Sequence, residues 1–244
     1  MFREVESGGT FASNTVVWAV VEPIFGIALL SIVFAIALPA PPLGDSFAFF
    51  YASGLLPLML FQDVTQKMIV AVRYSRPLLG FAIIGPVEMV FSRAAVAILV
   101  QLTVMTAILG GLAAISSQSI QFEISLIILG LFAVIALALG LGLLGSLLSL
   151  DIPSWPKIWA IVLRPLVFIS GVFFLTDEIP DPFRDWAMWN PLAQVIVIFR
   201  QGLYYHYDSA AASFGYVASI GLVCAGIGLL GLRARASRLI NGVI

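Results

Sequence analysis

The stretch SGVFFLTDEIPDPFRDWAMWNPLAQVIVIFRQGLY, residues 170–204, decides how the last third of the chain folds. It lies between two hydrophobic segments long enough to cross a bilayer. Within it, Pro180, Pro182 and Pro191 each remove a backbone donor and disfavour a helix at the preceding residue. Its aromatic side chains favour the boundary between water and lipid. The apolar run after Pro191 is about half as long as the roughly twenty residues that a span needs. The stretch therefore predicts short re-entrant or interfacial helices before the last span.

The composition places the chain among membrane proteins. Of its 244 residues, 61% are hydrophobic and 10% are charged, and the mean hydropathy is +1.09. Several apolar runs are longer than the buried helix of a globular protein. These values predict an all-α polytopic membrane protein in which residues 1–244 form a single transmembrane domain. Its six transmembrane helices are expected at about 16–38, 47–66, 89–115, 124–150, 157–175 and 210–232.

The first and fourth spans carry further expectations. The first should not be a cleaved signal peptide, because it is longer than the apolar core of such a peptide and two glutamates precede it. Residues 1–15 predict a short interfacial helix ahead of it. In the fourth span, glycines at 130, 140, 142 and 145 favour close helix contacts, although small residues also recur in membrane helices generally.

The basic residues set the orientation. With six spans both termini lie on one side of the membrane, and that side carries nine of the twelve Lys and Arg residues. The positive-inside tendency therefore places both termini in the cytoplasm and residues 170–204 outside. The basic residues of the inner side are Arg3, Lys67, Arg73, Arg76, Arg93, Lys157, Arg233, Arg235 and Arg238.

The residues that carry chemistry argue against an enzyme. The sequence has no GxxxxGK[ST] loop, so we expect no ATP site in this chain. His206 is the only histidine and lies among tyrosines, where an interfacial polar group is the commoner role. No metal motif and no nucleophile–base pair is readable, and the net charge of −1 gives no reason to expect nucleic acid. We predict no catalytic residue, no metal site and no cofactor bound by this chain.

An ion-coupled carrier is the next class to weigh. Such carriers usually place ionisable residues near the middle of the membrane. Here Glu22, Asp63, Glu88 and Arg164 are expected near the span ends, with their charged groups at the interface. The pattern favours a transporter whose energy arrives from outside the chain. An ion-coupled carrier or channel, and a membrane-embedded enzyme or assembly factor, are the alternatives.

Two motifs carry a resemblance to a known family. One is WAVVEP at residues 18–23, and the other is SGVFF, then IP, then NPLAQVIVIFRQGLY, ahead of the last span. In these motifs the chain resembles the permease subunit of type-2 ABC exporters, and among them the capsular polysaccharide and O-antigen export permeases. Gln194 and Val197 stand where members often carry a histidine and a glutamate. A drug or a lipid is therefore kept as an alternative to a lipid-linked polysaccharide as substrate.

The resemblance implies partners and a location. It implies a homodimer in the bacterial inner membrane, resting on two copies of a separate ABC ATPase that binds ATP and magnesium. It also implies a cytoplasmic coupling helix that docks on the ATPase, which we place within Val70 to Gly85, where the chain is basic and amphipathic. A basic loop that only sets topology is the alternative. The core of the predicted coupling helix is Arg73, Tyr74, Arg76 and Pro77.

Aromatic residues suit the path of a polysaccharide, because sugar rings present apolar faces. Tyr51, Trp159 and Trp186 are the predicted wall residues, although an aromatic belt at the bilayer boundary explains most aromatic residues of the chain more simply. Two copies of residues 179–200 would cover a central exit, and the acidic run DEIPDPFRD is a candidate surface for a periplasmic export partner. The predicted residues of this outer gate are Ile179, Pro180, Asn190, Pro191 and Arg200.

Overall fold

The structure, a computed structural model, is built from helices wherever it describes regular secondary structure. It describes residues 2–74, 85–115, 122–180, 183–204, 207–209 and 212–241. Within these ranges the helices are α1 (Phe2–Ala37), α2 (Phe47–Tyr74), α3 (Pro86–Ile115), α4 (Ile124–Asp151), α5 (Trp155–Ile169), α6 (Phe183–Met188), α7 (Pro191–Leu203) and α8 (Phe214–Asn241), and a 3-10 turn covers Thr176–Glu178.

Among the described residues, five helices are long and apolar enough to cross a membrane. The apolar segments are Val17–Ala37, Phe47–Val72, Pro86–Ile115, Ile124–Asp151 and Phe214–Arg235. They confirm an all-helical membrane protein, and they overlap the predicted first, second, third, fourth and sixth spans. The predicted lead-in helix of residues 1–15 and the first span are one continuous helix, α1.

The predicted fifth span ends earlier than expected. We placed it at 157–175, whereas α5 ends at Ile169. It has 15 residues, so its length is about 22 Å. The hydrocarbon core of a bilayer is about 30 Å thick. The helix stops because the chain turns at Gly171, whose φ of +76° is a left-handed conformation that glycine adopts without strain. The six-span topology therefore depends on α5 together with the segment that follows it.

Helix α4 lies at the centre of the fold, packed against α2, α7 and α8. Its contact with α8 is made by the two backbones. A Cβ atom added to Gly221 would lie 2.7 Å from the carbonyl oxygen of Ala136, and one added to Gly140 would overlap the carbonyl of Gly221. The expectation that glycines of the fourth span allow close helix approach is confirmed. In lipid, such contacts supply packing between helices that the hydrophobic effect does not drive together.

We expect Gly221→Ala to destabilise the protein, because the added methyl group has no room and the α4–α8 backbones must move apart. Overpacking of this kind costs about 1–3 kcal/mol. The matched control is Gly226→Ala on the same helix, where an added Cβ atom has nothing within 4 Å. The midpoint of heat-induced aggregation in detergent should fall for Gly221→Ala and stay unchanged for Gly226→Ala. Equal midpoints would show that the two helices are not in backbone contact.

Candidate gate and translocation site

The segment between α5 and α8 folds back against the interior of the protein. After the turn at Gly171 it continues through the 3-10 turn, α6 and α7. Helix α7 packs on parts of α2 and α4 that lie inside their apolar spans: Gly130 of α4 contacts the backbone of Phe199, and Gly54 of α2 contacts Arg200. At the start of α4, the Glu123 amide donates a hydrogen bond of 2.9 Å to the Gly202 carbonyl. The two short helices predicted before the last span are therefore present, and α7 is buried.

Arg200 holds this segment in place. Its side chain is 1% exposed. One terminal nitrogen, Nη1, donates to the carbonyls of Gly171 (2.8 Å) and Phe174 (3.3 Å), and Nη2 donates to that of Val172 (3.0 Å). Its Nε donates to the Ser53 hydroxyl of α2 at 3.2 Å. The guanidinium therefore joins α7 to α2 and satisfies carbonyls that are left without helical partners where α5 ends.

The charge of Arg200 is compatible with this burial. Arginine keeps its charge in proteins, and all of its guanidinium nitrogens here donate to carbonyl or hydroxyl oxygens. Its guanidinium carbon lies 4.2 Å from the centroid of the Phe50 ring, a cation–π distance. It also lies beyond the carboxyl end of α5, where the helix dipole favours a positive charge. Sequence reasoning assigned Arg200 to an outer gate; the structure shows that it binds the base of that segment to α2.

Asp177 connects the part of the segment that follows the turn at Gly171. Its carboxylate accepts hydrogen bonds from Arg184 (2.8 Å), the Tyr207 hydroxyl (2.8 Å) and the Ser209 hydroxyl (2.9 Å). Burial raises the pKa of Tyr207, and the hydrogen bond that its hydroxyl donates to Asp177 raises this pKa further. Two predicted gate residues follow directly, with Ile179 half-buried and Pro180 exposed. These bonds tie the turn after α5 to α6 and to the chain beyond α7.

Two other predicted gate residues begin α7. The side-chain oxygen of Asn190, Oδ1, accepts a hydrogen bond of 3.1 Å from the Leu192 amide. Pro191 occupies the first turn, where its missing N–H costs nothing. Gln194 is buried at 6% exposure, donates to the Met188 carbonyl at 2.6 Å and accepts from the Ser213 amide at 2.9 Å. Gln194 therefore ties α6 to the start of α8, a role that the sequence alone did not reveal.

The three predicted wall residues lie apart. Tyr51 is fully buried beside Phe34 and Phe50, with ring centroids 5.2 Å away in each case. Trp159 is half-buried, and its Nε1 donates to the Thr65 hydroxyl at 3.2 Å. Trp186 is 70% exposed on α6. Among the described residues, no ring contact or hydrogen bond joins any two of the three.

A cleft that sequence reasoning missed lies between α1, α2, α3 and α5. Its volume is about 410 Å³, and we call it the polar cleft. In it Asp63 accepts from Lys67 at 2.7 Å and from the Gln101 amide at 3.3 Å. The lining residues are Glu22, Met59, Gln62, Asp63, Gln66, Gln101, Ala160, Leu163, Arg164 and Val167.

The polar cleft bears on one expectation. We expected Asp63 near a span end, and it lies nine residues, or about 14 Å, inside the end of the second apolar segment at Val72. Glu22 and Arg164 line the same cleft, which brings together residues that we had treated separately. The tertiary fold brings these residues together, because polar side chains of four helices face the same cleft. The amides at 62 and 66, one helical turn apart within an apolar segment, were the available signal.

Comparison with known proteins decides the family. A family model described as ABC-2 type transporter matches residues 10–204, about four fifths of the chain. The chain belongs to the ABC-2 type transporter family. Members are permeases, the transport subunits, and the resemblance inferred from the two sequence motifs is confirmed.

Individual relatives of this ABC-2 chain are named as transport and export proteins. It is 26% identical to two polysialic acid transport proteins KpsM of Escherichia coli, over 227 residues that cover 92% of this chain and 87% of the relative. It is 20% identical to the capsule polysaccharide export inner-membrane protein CtrC of Neisseria meningitidis serogroup A, over 155 residues, 64% of this chain and 58% of the relative.

Two of the four predicted coupling residues of this ABC-2 permease lie at one end of α2. Arg73 and Tyr74 are the last two residues of that helix, so the first part of the predicted coupling segment, Val70 to Tyr74, continues α2. Arg76 and Pro77 lie outside the described residues. The assignment of these four residues to ATPase coupling stays a prediction.

We expect Arg200→Met to reduce the amount of folded protein strongly. The substitution keeps a long apolar stem but leaves buried carbonyls without donors, at about 1–3 kcal/mol for each group. Arg184→Gln is the control, because it removes only the partly exposed ion pair with Asp177, which is worth about 0–1 kcal/mol. Size-exclusion profiles in mild detergent should show a large loss of monodisperse protein for the first variant only. We call the hydrogen bonds of the Arg200 guanidinium the clamp. A normal profile for Arg200→Met would mean that the clamp does not stabilise the fold.

Proposed function

We propose that this chain is the membrane-spanning subunit of an ATP-driven exporter that moves a capsular or O-antigen-like, lipid-linked polysaccharide across the bacterial inner membrane. The observation that carries the proposal is the similarity to the KpsM proteins, which extends over 92% of this chain and 87% of theirs. The name of CtrC, capsule polysaccharide export inner-membrane protein, supports the same substrate class.

The energy for export would come from a partner. The sequence has no phosphate-binding loop, and the proposal assigns ATP and magnesium to two copies of a separate ABC ATPase. Two copies of this permease, each with six spans and both termini in the cytoplasm, would sit on those ATPases. The basic segment from Val70 to Gly85 would provide the coupling helix.

Helix α2 offers a direct mechanical connection between the proposed coupling segment and the gate. It has 28 residues, a length of about 42 Å. Its inner end carries Arg73 and Tyr74, and near its outer end Ser53 accepts from Arg200 while Gly54 packs against Val172. A displacement of α2 by the ATPase would therefore move the base of the segment that we assign to the outer gate.

An ion-coupled carrier is the alternative that one observation favours, because the ionisable residue Asp63 lies well inside an apolar segment. Against it, the Asp63 charge is already balanced by Lys67 at 2.7 Å. The two functions differ in their need for an ATPase. Permease purified alone in liposomes should move no polysaccharide or ion, and transport there without an ATPase would contradict the proposal.

The coupling assignment predicts that Arg73→Glu combined with Arg76→Glu abolishes export. Reversing both charges should weaken docking on the ATPase, so that polysaccharide reaches the cell surface at less than about a tenth of the wild-type level, as expected when more than about 1.4 kcal/mol of coupling free energy is lost. Surface polysaccharide and copurified ATPase are the measurements. Arg233→Glu, an exposed charge reversal on α8, is the matched control and should export normally. Wild-type export by the double variant at normal membrane levels would refute the assignment.

The gate assignment predicts contact between two protomers through α6. In a Cys224→Ser background, Asp185→Cys and Trp186→Cys should each form a disulfide-linked dimer on mild oxidation, because both side chains are exposed on the outer segment. Leu222→Cys, 69% exposed on α8, should stay monomeric on denaturing gels. If the α6 cysteines link no more than the α8 cysteine does, the two copies do not meet at this helix.

A further inference from the structure

The polar cleft lies at a depth where polar side chains are costly. Asp63 lies about 14 Å from the inner end of its apolar segment, and Gln101 lies at the middle of the segment Pro86–Ile115. Ionisable and strongly polar side chains at such depths are rare, face a water-filled space and mark the path of a solute. The convergence of four helices on one polar space therefore needs a function.

The charges of the cleft indicate that the solute is not an ion. Asp63 is paired with Lys67, and it also accepts from Gln101. The two remaining charges, Glu22 and Arg164, have opposite signs. Within the described residues, no group of three or more His, Cys, Asp or Glu side chains is arranged to hold a metal ion. The cleft therefore carries balanced charge, and its remaining binding capacity lies in its amides.

The amides match hydroxyl groups. Gln62 and Gln66 each offer two donors and one acceptor, and a sugar hydroxyl both donates and accepts. The Oε1 atom of Gln66 is buried, and it has no hydrogen-bond partner among the described residues. Such an atom costs about 1–3 kcal/mol unless a ligand or water satisfies it.

The remaining wall of the cleft is apolar and suits the other side of a sugar ring. Met59, Leu163 and Val167 form this wall. A pyranose presents CH groups on its faces and hydroxyls at its rim, so one ring can use both surfaces. The volume of about 410 Å³ is within the range of about 300–1,000 Å³ that small-ligand sites occupy.

We infer that the polar cleft is a mid-membrane subsite that binds hydroxyl groups of the glycan during export, with Gln62 and Gln66 as its contacting residues. The inference rests on the proposed function, because it takes the exported polysaccharide as the ligand. It assigns the recognition of sugar to amide side chains rather than to Tyr51, Trp159 and Trp186. A second copy of the chain, packed over the cleft through Glu22 and Arg164, is the competing occupant.

A first experiment measures export. Gln66→Met removes the amide at similar volume, and we expect surface polysaccharide to fall about fivefold or more, as for the loss of one or two hydrogen bonds. Permease level and ATPase copurification should not change. The control is Thr103→Val on the exposed side of α3, where the hydroxyl donates to the Leu99 carbonyl of its own helix. Normal export by Gln66→Met overturns the assignment of that residue.

A second experiment tests occupancy. In a Cys224→Ser background, Gln62→Cys is treated with a charged methanethiosulfonate reagent, in cells that make the glycan and in cells that lack its polymerising glycosyltransferase. We expect reaction in both, at least about threefold slower when glycan is made, as for a site occupied most of the time. Leu99→Cys, 66% exposed on α3, should not react in either.

The outcomes separate the subsite from the function. Equal labelling with and without glycan overturns the subsite, and so does an absence of labelling in both cells, which would indicate a second copy over the cleft. Deleting the permease tests the proposed function independently. If surface polysaccharide persists in the deletion strain, the function fails; if it disappears while labelling stays equal, only the subsite fails.

Discussion

A buried guanidinium is the constraint on which the segment between α5 and α8 of this permease depends. Where α5 ends, several backbone carbonyls lie among apolar side chains without helical partners, and hydrocarbon offers them none. Arg200 supplies the donors from α7. The carbonyls in turn stabilise a charge that would otherwise be too costly to bury. The free carbonyls at the end of α5 and the buried arginine would each be costly without the other. This explains why both occur at one place.

The polar cleft differs from this clamp in the degree to which its groups are satisfied. All three nitrogens of Arg200 have partners, whereas Gln66 retains a buried acceptor without one among the described residues. Fully satisfied polar networks make a structure rigid, whereas a buried group without a partner is costly unless a ligand or water satisfies it. The clamp therefore fits a structural joint, and the cleft fits a site through which a solute passes. Their connection is α2, which contributes residues to both.

Much of the architecture follows from the sequence because hydropathy is a local property. Apolar runs of about twenty residues identified five spans, and the prolines of residues 170–204 indicated the short helices α6 and α7. The end of α5 was missed, since Val172 to Leu175 continue the apolar run, and hydropathy does not reveal the positive φ of Gly171 that turns the chain there. The clamp was missed for a different reason: Ser53 and Arg200 are 147 positions apart, and only the fold brings them together.

The site residues also divide into those that the local sequence identifies and those that only the fold brings together. Asn190 and Pro191 were identifiable because an N-cap followed by proline has local geometry. The polar cleft was not, because its polar residues are scattered over positions 22–164 and each one alone is compatible with a span end. Aromatic character alone does not distinguish a buried ring such as Tyr51 from an exposed one such as Trp186, and the assignment of these rings to the path stays a prediction.

The backbone contact between α4 and α8 has a consequence for motion. Helices that touch through Gly140, Gly221 and Gly228 leave no space for sliding, so these two helices behave as one rigid body. Helix α1 is held differently. It packs mainly on α2 and α3, and apolar side chains such as Phe25 and Ile36 are exposed along its length. Its neighbours on that side are lipid tails or another polypeptide chain. The position of α1 therefore depends in part on contacts outside this chain.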